Sequence, residues 1–304
     1  MSQYQGKFAV PFLVCLVGVA LFSVMDAAMK GLSLAIGLYN ALFWRAVTGT
    51  LLGLALMLIT RQRWPSWAVL RIHLLRGSVV AVMALLFFWS ILRLPLAEAI
   101  ALSFIAPLIA LYLAALLLKE QVGRQAVGAS LLGLVGVAII LSGKLQGRYE
   151  PDAVLGVLAV LGSAVLFAWN LIIQRQQAQV ASPIEVAFFQ HLVMLAVFAT
   201  AAPWLAVLPS TKALPLVLLA ASLAFTSLAA LAWAYARAEA QRLIPVEYSA
   251  FLWAAIVGWL AFGERVTLTT VAGALLIVAA CLIAARSKRA DITPNGAHVE
   301  AGTA

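Results

Sequence analysis

The residues of this sequence that could do chemistry are the few charged side chains that interrupt long apolar stretches. Only 10% of the 304 residues are charged, whereas 65% are hydrophobic. An ionisable group within an apolar span costs free energy, so it usually pairs with another group or faces a water-filled cavity. Ion pairs near the ends of such spans can open and close a passage. The candidate gating residues are Asp26, Lys30, Arg93, Glu98, Arg237, Glu239 and Glu247.

Three of these candidates also have a purely structural interpretation. Glu98 follows Pro95 in the predicted first turn of a helix, where a carboxylate complements the helix dipole. Asp26 and Lys30 are four residues apart, which is the spacing of a local ion pair on one helix face. The sequence leaves the gating and the structural interpretations open.

Arg45 lies well inside a second apolar stretch, about a dozen residues after its predicted start. A cation at that depth costs at least a few kcal/mol. Its guanidinium can bind the carboxylate of a substrate, or it can bond helix carbonyls as a structural pin. The sequence favours the pin and keeps the binding role as the alternative.

Aromatic residues supply a second set of candidates, which we expect to line a cavity. Pro107 falls in the middle of a predicted helix, where it removes one backbone hydrogen bond. Its counterpart in the second half is Phe251, which has other aromatic residues close by. An aromatic, weakly polar cavity suits an apolar or amphipathic small molecule. With Arg45, the candidate cavity residues are Trp89, Pro107, Trp169, Asn170, Trp233, Tyr248, Phe251 and Trp253.

Several classes of function do not fit the sequence. No catalytic triad or paired-carboxylate pattern is readable, and the histidines are scattered along the chain, so we expect no enzyme, no cofactor and no metal site. The two cysteines lie inside apolar runs, so a disulfide framework is not expected. The net charge of +9 does not require a nucleic acid partner, because membrane proteins concentrate Lys and Arg in cytoplasmic loops.

The elements that must position these residues are membrane-spanning helices. Runs of about 17–25 apolar residues are long enough to cross a bilayer. The sequence predicts an all-α integral membrane protein with ten such helices. Their predicted bounds are Phe8–Ala28, Leu34–Ile59, Leu74–Leu92, Leu96–Leu118, Gln125–Leu141, Ala153–Ile173, Ile184–Val207, Leu214–Ala236, Ile244–Phe262 and Leu268–Ala285.

The two halves of the chain repeat each other at an offset of 144 residues. Trp89 falls on Trp233, Arg93 on Arg237 and Glu120 on Glu264. Because five helices per half is an odd number, the second half must be inverted relative to the first. We therefore predict two inverted five-helix repeats, 1–148 and 149–285, around a central cavity. A disordered cytoplasmic tail, 286–304, would follow.

Orientation follows from the basic residues. Most Lys and Arg residues in the short loops fall on the side of the N-terminus, which predicts that both termini are cytoplasmic. We expect a multi-pass protein of a bacterial-type inner membrane. Because inverted repeats can enclose a complete cavity, a monomer suffices.

Two helix ends carry a resemblance to a known family. They are the LLLKE segment Leu116–Glu120 and the LAFGE segment Leu260–Glu264, and each leads into a glycine-containing helix. With Arg45 and Pro107, they make the chain resemble the drug/metabolite transporter superfamily, and within it the ten-helix EamA-type proteins. The resemblance implies export or exchange of small solutes by alternating access. One departure is Phe251, where the pattern often has a proline.

Within that superfamily the chain resembles amino-acid exporters of the YddG kind, which are associated with aromatic amino acids. We therefore predict a secondary transporter that exports amino acids, aromatic or other neutral ones first, or similar metabolites. An uptake carrier or exchanger for S-adenosylmethionine, riboflavin or drug-like cations is the alternative. A membrane scaffold without flux belongs to another class, and it would need neither a buried Arg45 nor a midplane Pro107.

Overall fold

A computed structural model describes residues 2–118, 124–145, 151–238, 243 and 246–290. The described segments fold into α-helices without a strand, which confirms the all-α prediction. The helices are α1 (Ser2–Ile36), α2 (Leu38–Ile59), α3 (Trp67–Ile91), α4 (Leu96–Ser103), α5 (Ala106–Leu118), α6 (Arg124–Leu145), α7 (Pro151–Gln177), α8 (Pro183–Ala199), α9 (Ala202–Leu205), α10 (Leu214–Tyr235), α11 (Ser249–Phe262) and α12 (Leu268–Ala290).

Ten apolar helical segments lie in the described part of the chain. Five are long and apolar enough to cross a membrane by length and composition, and five are shorter apolar helices. Large apolar side chains such as Leu51, Leu131 and Leu260 are exposed on the outside of the bundle. Such a surface suits contact with lipid rather than water. The fold is that of a multi-pass membrane protein.

The fourth span is interrupted next to Pro107. Helix α4 ends at Ser103 and α5 begins at Ala106, while the N–H groups of Phe104 and Ile105 bond carbonyls only three or four residues back. Proline has no N–H to continue the ladder, but it is well tolerated in the first turn of a new helix. The break between α4 and α5 therefore lies next to Pro107, where the sequence predicts a weakened helix.

The first two spans meet closer together than their sequence predicts. Helix α1 continues to Ile36, and Gly37 alone joins it to α2 with a φ of 81°, a conformation that glycine adopts at no steric cost. Lys30 suggested a loop, but its side chain is buried inside the protein. Arg45 consequently lies about two turns after the start of α2, rather than three.

Two other helix ends differ from the predicted ones. Helix α8 ends at Ala199, and the chain then forms the single turn α9 instead of continuing the span to Val207. Helix α12 continues to Ala290, so the first residues of the predicted tail are helical. The remainder of that tail lies outside the described residues.

Helix packing follows the repeat. Helices α6 and α12 pack against each other, as do α2 and α8, and each of these pairs joins equivalent spans of the two halves. The contact of α1 with α10 has its counterpart in the contact of α7 with α3. Exchanging the two halves thus maps the main helix contacts onto one another, as expected for a two-fold related pair of repeats.

The α6–α12 contact depends on two glycines. A Cβ atom added to Gly136 would lie 2.7 Å from the carbonyl oxygen of Gly273, and one added to Gly273 would lie 2.5 Å from that of Gly136. Only glycine permits so close an approach of two backbones. In a bilayer the hydrophobic effect does not bring helices together, so van der Waals packing of this kind stabilises the α6–α12 contact.

Candidate functional site

The two ends of the bundle carry different polar contacts. We name them the Gly37 end, where α1 passes into α2, and the Ser182 end, where α7 passes into α8. Between them, the buried side chains of both repeats form one large hydrophobic core. The predicted site residues distribute over these two ends and the layer between them.

At the Gly37 end, an ion pair joins the two repeats. Lys30 on α1 pairs with Glu264, which follows α11, and its ammonium also donates to the carbonyl of Leu94 at 2.9 Å. The other oxygen of Glu264 accepts the N–H of Leu96 at 2.8 Å. Lys30 was predicted as a partner of Asp26, four residues earlier on the same helix. Its partner is instead a carboxylate from the other half of the chain.

The LAFGE segment explains why Glu264 points back into the bundle. Gly263 ends α11 in the left-handed conformation, with φ 66°, and its N–H bonds the carbonyl of Trp259. The bond of Gly263 is that of a helix end with a left-handed residue, and the N–H of Glu264 bonds the carbonyl of Gly258. This turn fixes the direction of the Glu264 side chain. The equivalent Glu120 lies outside the described residues.

Two arginine–tryptophan pairs repeat at opposite ends of the bundle. The guanidinium carbon of Arg93 lies 3.4 Å from the ring centroid of Trp89, and that of Arg237 lies 4.1 Å from the ring of Trp233. Each arginine also donates to the carbonyl of its tryptophan. Both pairs are cation–π contacts within one segment.

The acidic gating candidates differ from one another in their surroundings. Glu98 is buried in the first turn of α4, the position predicted for it. Glu247 accepts a hydrogen bond from the Tyr235 hydroxyl at the Ser182 end. Glu239 lies outside the described residues.

A buried hydrogen-bond network occupies the Ser182 end, and Asn170 is its one member among the predicted cavity residues. Arg76 on α3 donates to Asn170 at 2.9 Å, Gln177 at 2.6 Å and Gln174 at 3.4 Å. Gln177 also bonds His73, which bonds Glu185 at 2.9 Å. Residues 170, 174 and 177 share one face of α7 because they are four and three positions apart.

The network was missed because the start of the third span was misplaced. The sequence prediction began that span at Leu74, which left His73 in the loop and Arg76 near the membrane surface. The helix begins at Trp67, so both side chains lie about two turns inside it. At the other side of the network, Ser182 caps α8 by accepting the N–H of Glu185 at 3.2 Å. The cap and Pro183 mark this helix start in the sequence.

Asp26 and Arg45 lie between the two ends, on α1 and α2. Their exposed fractions are 3% and 6%. They interact electrostatically, but neither belongs to an ion pair within 4.0 Å in the described part of the chain. Asp26 Oδ1 and Arg45 Nε have no hydrogen-bond partner. The guanidinium of Arg45 contacts the sulfur atoms of Met25 and Met194 and the ring of Phe88.

The aromatic candidates divide into two groups. The ring of Tyr248 packs edge-on against Phe104, with 5.1 Å between ring centroids, next to the interruption at Pro107. Phe251 and Trp253 are partly buried, and Trp253 Nε1 has no partner. Trp169 is 45% exposed on the outside of α7, away from this group.

An open groove of about 340 Å³ lies between α1, α10 and α11, but its lining is apolar and includes Val24, Gly31, Leu216 and Phe262. None of the predicted cavity residues lines it. Among the described residues, no group of three or more His, Cys, Asp or Glu side chains could hold a metal ion.

An all-helical bundle with apolar outer faces, two related halves and charged groups buried between them defines a polytopic membrane transporter. The sequence model of the EamA-like transporter family matches residues 10–142 and 154–286, once in each half. The chain therefore belongs to the EamA-like transporter family, within the drug/metabolite transporter superfamily.

Named relatives are transporters of several kinds. The chain is similar to the pseudopaline exporter CntI of Pseudomonas aeruginosa (strain UCBPP-PA14), with 28% identity over 88% of this chain and 93% of the relative. It is 27% identical to the S-adenosylmethionine uptake transporter of Rickettsia bellii (strain RML369-C), over 72% of this chain and 73% of the relative. It is 29% identical to the riboflavin transporter of Vibrio cholerae serotype O1, over 63% of each chain.

A solved crystal structure shares the fold. Its TM-score to this chain is 0.58 at 21% sequence identity, and the match covers 95% of this chain and 99% of the other.

Proposed function

We propose that this chain is a secondary transporter that exports amino acids, aromatic or other neutral ones first, or similar small metabolites by alternating access. The ion pair between Lys30 and Glu264 carries the proposal, because it joins the two repeats at one end of the bundle. A contact between two moving halves can close one face in one state and separate in the other.

The proposal includes an orientation. With both termini cytoplasmic in a bacterial inner membrane, the Gly37 end faces outward and the Ser182 end faces the cytoplasm. The Lys30–Glu264 pair, the Leu94 carbonyl and the Leu96 N–H then form the outer gate. The candidate inner gate comprises Trp233, Arg237 and the Tyr235–Glu247 hydrogen bond. One protomer, with repeats 1–148 and 149–285, is sufficient for this cycle.

Counterflow in proteoliposomes tests the proposal. Vesicles containing the purified protein are loaded with one unlabelled amino acid at a time, and entry of labelled phenylalanine, methionine or threonine is followed. Transient accumulation that depends on the internal amino acid is the expected result. Its absence with every amino acid would refute amino-acid transport.

A second candidate is an uptake carrier or exchanger for another metabolite. It is favoured by the similarity to proteins named as S-adenosylmethionine and riboflavin transporters. The same vesicles, loaded with each of these two compounds, separate this candidate from the first. A scaffold without flux would give no counterflow with any of these solutes.

A further inference from the structure

Two arginines are buried in the described part of the chain, and their surroundings differ. Arg76 is 3% exposed and donates to three side-chain oxygens, those of Asn170, Gln174 and Gln177. Arg45 is 6% exposed, yet its guanidinium contacts two sulfur atoms, at 3.5 and 4.0 Å, and one aromatic ring. Thioether sulfur is a weak acceptor. The hydrogen-bonding capacity of Arg45 is therefore largely unused.

These contacts are not those expected of an arginine that acts as a structural pin. A guanidinium that holds helices together donates to carbonyl or carboxylate oxygens, as Arg76 does to amide oxygens. Arg45 Nε is buried without any partner. A buried charge that is not hydrogen-bonded costs stability. A buried polar group without a protein partner needs another one, such as a ligand, an ion or a water molecule.

Asp26 also has a buried polar atom without a hydrogen-bond partner, and its side chain is acidic where that of Arg45 is basic. Its Oδ1 atom is buried without a partner, and the nearest lysine along its helix, Lys30, is bound to Glu264. Asp26 and Arg45 lie on neighbouring helices and do not form an ion pair within 4.0 Å in the described part of the chain. An acceptor and a donor of opposite charge thus face the same layer from adjacent helices, and they do not satisfy each other.

The depth of this layer suits a transported ligand. Asp26 lies about 15 Å from the end of α1, and Arg45 about 10 Å from the start of α2, at a rise of 1.5 Å per residue. Asp26 lies one helical turn deeper than Lys30, and Arg45 lies at about the depth of Lys30, which forms the ion pair with Glu264. Asp26 and Arg45 therefore lie inside the bundle, at or below the level of that ion pair.

We propose that Asp26 and Arg45 bind the two charged groups of a zwitterionic α-amino acid, Asp26 its ammonium and Arg45 its carboxylate. This inference rests on the proposed transport function and specifies its substrate class. A simple anion would leave Asp26 unpaired, and a simple cation would leave Arg45 unpaired. A zwitterion satisfies both groups, and the planar guanidinium matches a carboxylate with two parallel hydrogen bonds. The apolar neighbours Met25, Met194 and Phe88 keep water out, which strengthens both contacts.

Three ligands of one shape test the charge requirement. They are L-phenylalanine, 2-phenylethylamine, which lacks the carboxylate, and 3-phenylpropionate, which lacks the ammonium. Binding to the purified full chain is measured by calorimetry, and the test is repeated with L-methionine and its corresponding amine and acid. We expect at least about tenfold tighter binding of the amino acid than of either analogue, the effect of losing one charged contact. Equal binding of all three ligands, or no amino acid bound from the full set of twenty, would overturn the inference.

Asp26→Asn and Arg45→Gln should each weaken amino-acid binding by about tenfold or more. The Asn variant should also lose its preference for the amino acid over 3-phenylpropionate. Wild-type affinity in both variants would contradict the proposed site.

A thermal measurement without a ligand tests whether Asp26 and Arg45 stabilise the fold. In the double variant Asp26→Leu/Arg45→Met, two unsatisfied buried charges disappear together, so Tm should equal or exceed that of the wild type. In the control Arg76→Met, the hydrogen-bonded network loses its centre, and Tm should fall by several degrees. A double variant that melts as low as Arg76→Met would show that the pair is structural. Counterflow of a solute other than an amino acid would leave transport intact and refute only the zwitterion site.

Discussion

The ammonium of Lys30 forms an ion pair with the carboxylate of Glu264, across 234 positions of sequence and from one repeat to the other. The same carboxylate accepts the backbone N–H of Leu96, and the same ammonium donates to the carbonyl of Leu94. Two side chains therefore join three segments: α1, the end of α11 and the turn before α4. This arrangement joins the two repeats at the Gly37 end, and in the proposed transport cycle it closes that face.

Lys30→Met should open that face. The variant leaves Glu264 buried without its cation, which disfavours the closed state by about 1–2 kcal/mol or more. A cysteine introduced by Ser33→Cys, one turn closer to the Gly37 end, reports the change through its rate of labelling by a membrane-impermeant maleimide. We expect at least about a fivefold faster rate, since 1–2 kcal/mol corresponds to a factor of 5–30.

The control for this measurement is Lys212→Met, which removes an exposed lysine before α10. Cys15 and Cys281 are replaced by alanine throughout. An unchanged labelling rate in Lys30→Met, with normal expression, would show that the ion pair does not close this end.

The two arginine–tryptophan pairs should act on opposite faces. Trp89→Ala removes the ring beneath Arg93 and should increase labelling of Ser33→Cys. Trp233→Ala removes the ring beneath Arg237 and should increase labelling of Ala178→Cys near the Ser182 end. Each variant should leave the other reporter within about twofold of the wild type, because the two pairs lie at opposite ends of the bundle.

Trp204→Ala, in the exposed turn α9, is the matched tryptophan control. An increase at the same reporter in both gate variants would contradict the inverted arrangement of the gates.

The hydrogen-bond network at the Ser182 end predicts a contrast between two adjacent glutamines. Gln177 is buried and bonds both Arg76 and His73, whereas Gln176 is exposed on the same helix. Gln177→Ala should lower the free energy of unfolding by about 2–4 kcal/mol, because it leaves two buried polar groups without a partner. Gln176→Ala should stay within about 0.5 kcal/mol of the wild type. Thermal unfolding in detergent measures both, and equal Tm values for the two variants would contradict the network's stabilising role.

The glycines of α6 predict a second contrast. In Gly136→Ala the new methyl group would collide with the carbonyl oxygen of Gly273, so α6 and α12 must separate. We expect a loss of about 1–3 kcal/mol, the usual cost of overpacking. A Cβ added to Gly128 meets no atom within 4 Å, so Gly128→Ala should be neutral or stabilise the helix by up to about 1 kcal/mol. Similar melting of both variants would show that the α6–α12 contact is not tightly packed.

The sequence anticipated the helices better than the contacts among them. Hydropathy located the spans, and the repeated helix ends gave the two halves, because both features are local in the chain. The end of α1 and the start of α3 were misplaced for one reason: Lys30 and His73 indicated loops, and Arg76 indicated a position near the membrane surface. These side chains are polar but buried, and their partners come from distant segments, so only tertiary contacts explain why the helices continue through them.

By itself, the sequence determined the all-helical membrane class, the ten apolar segments and the duplication, since each depends on composition within about twenty residues or on similarity between halves. It also singled out Asp26 and Arg45 as charges in apolar surroundings. Only the tertiary structure decided that Lys30 bonds Glu264, that each of the three guanidinium nitrogens of Arg76 has a hydrogen-bond partner, and that Asp26 Oδ1 and Arg45 Nε have none. The physical reason is that a charge finds its partner through the rotation and depth of each helix in the bundle, and an apolar helix can adopt many rotations and depths without changing its hydropathy.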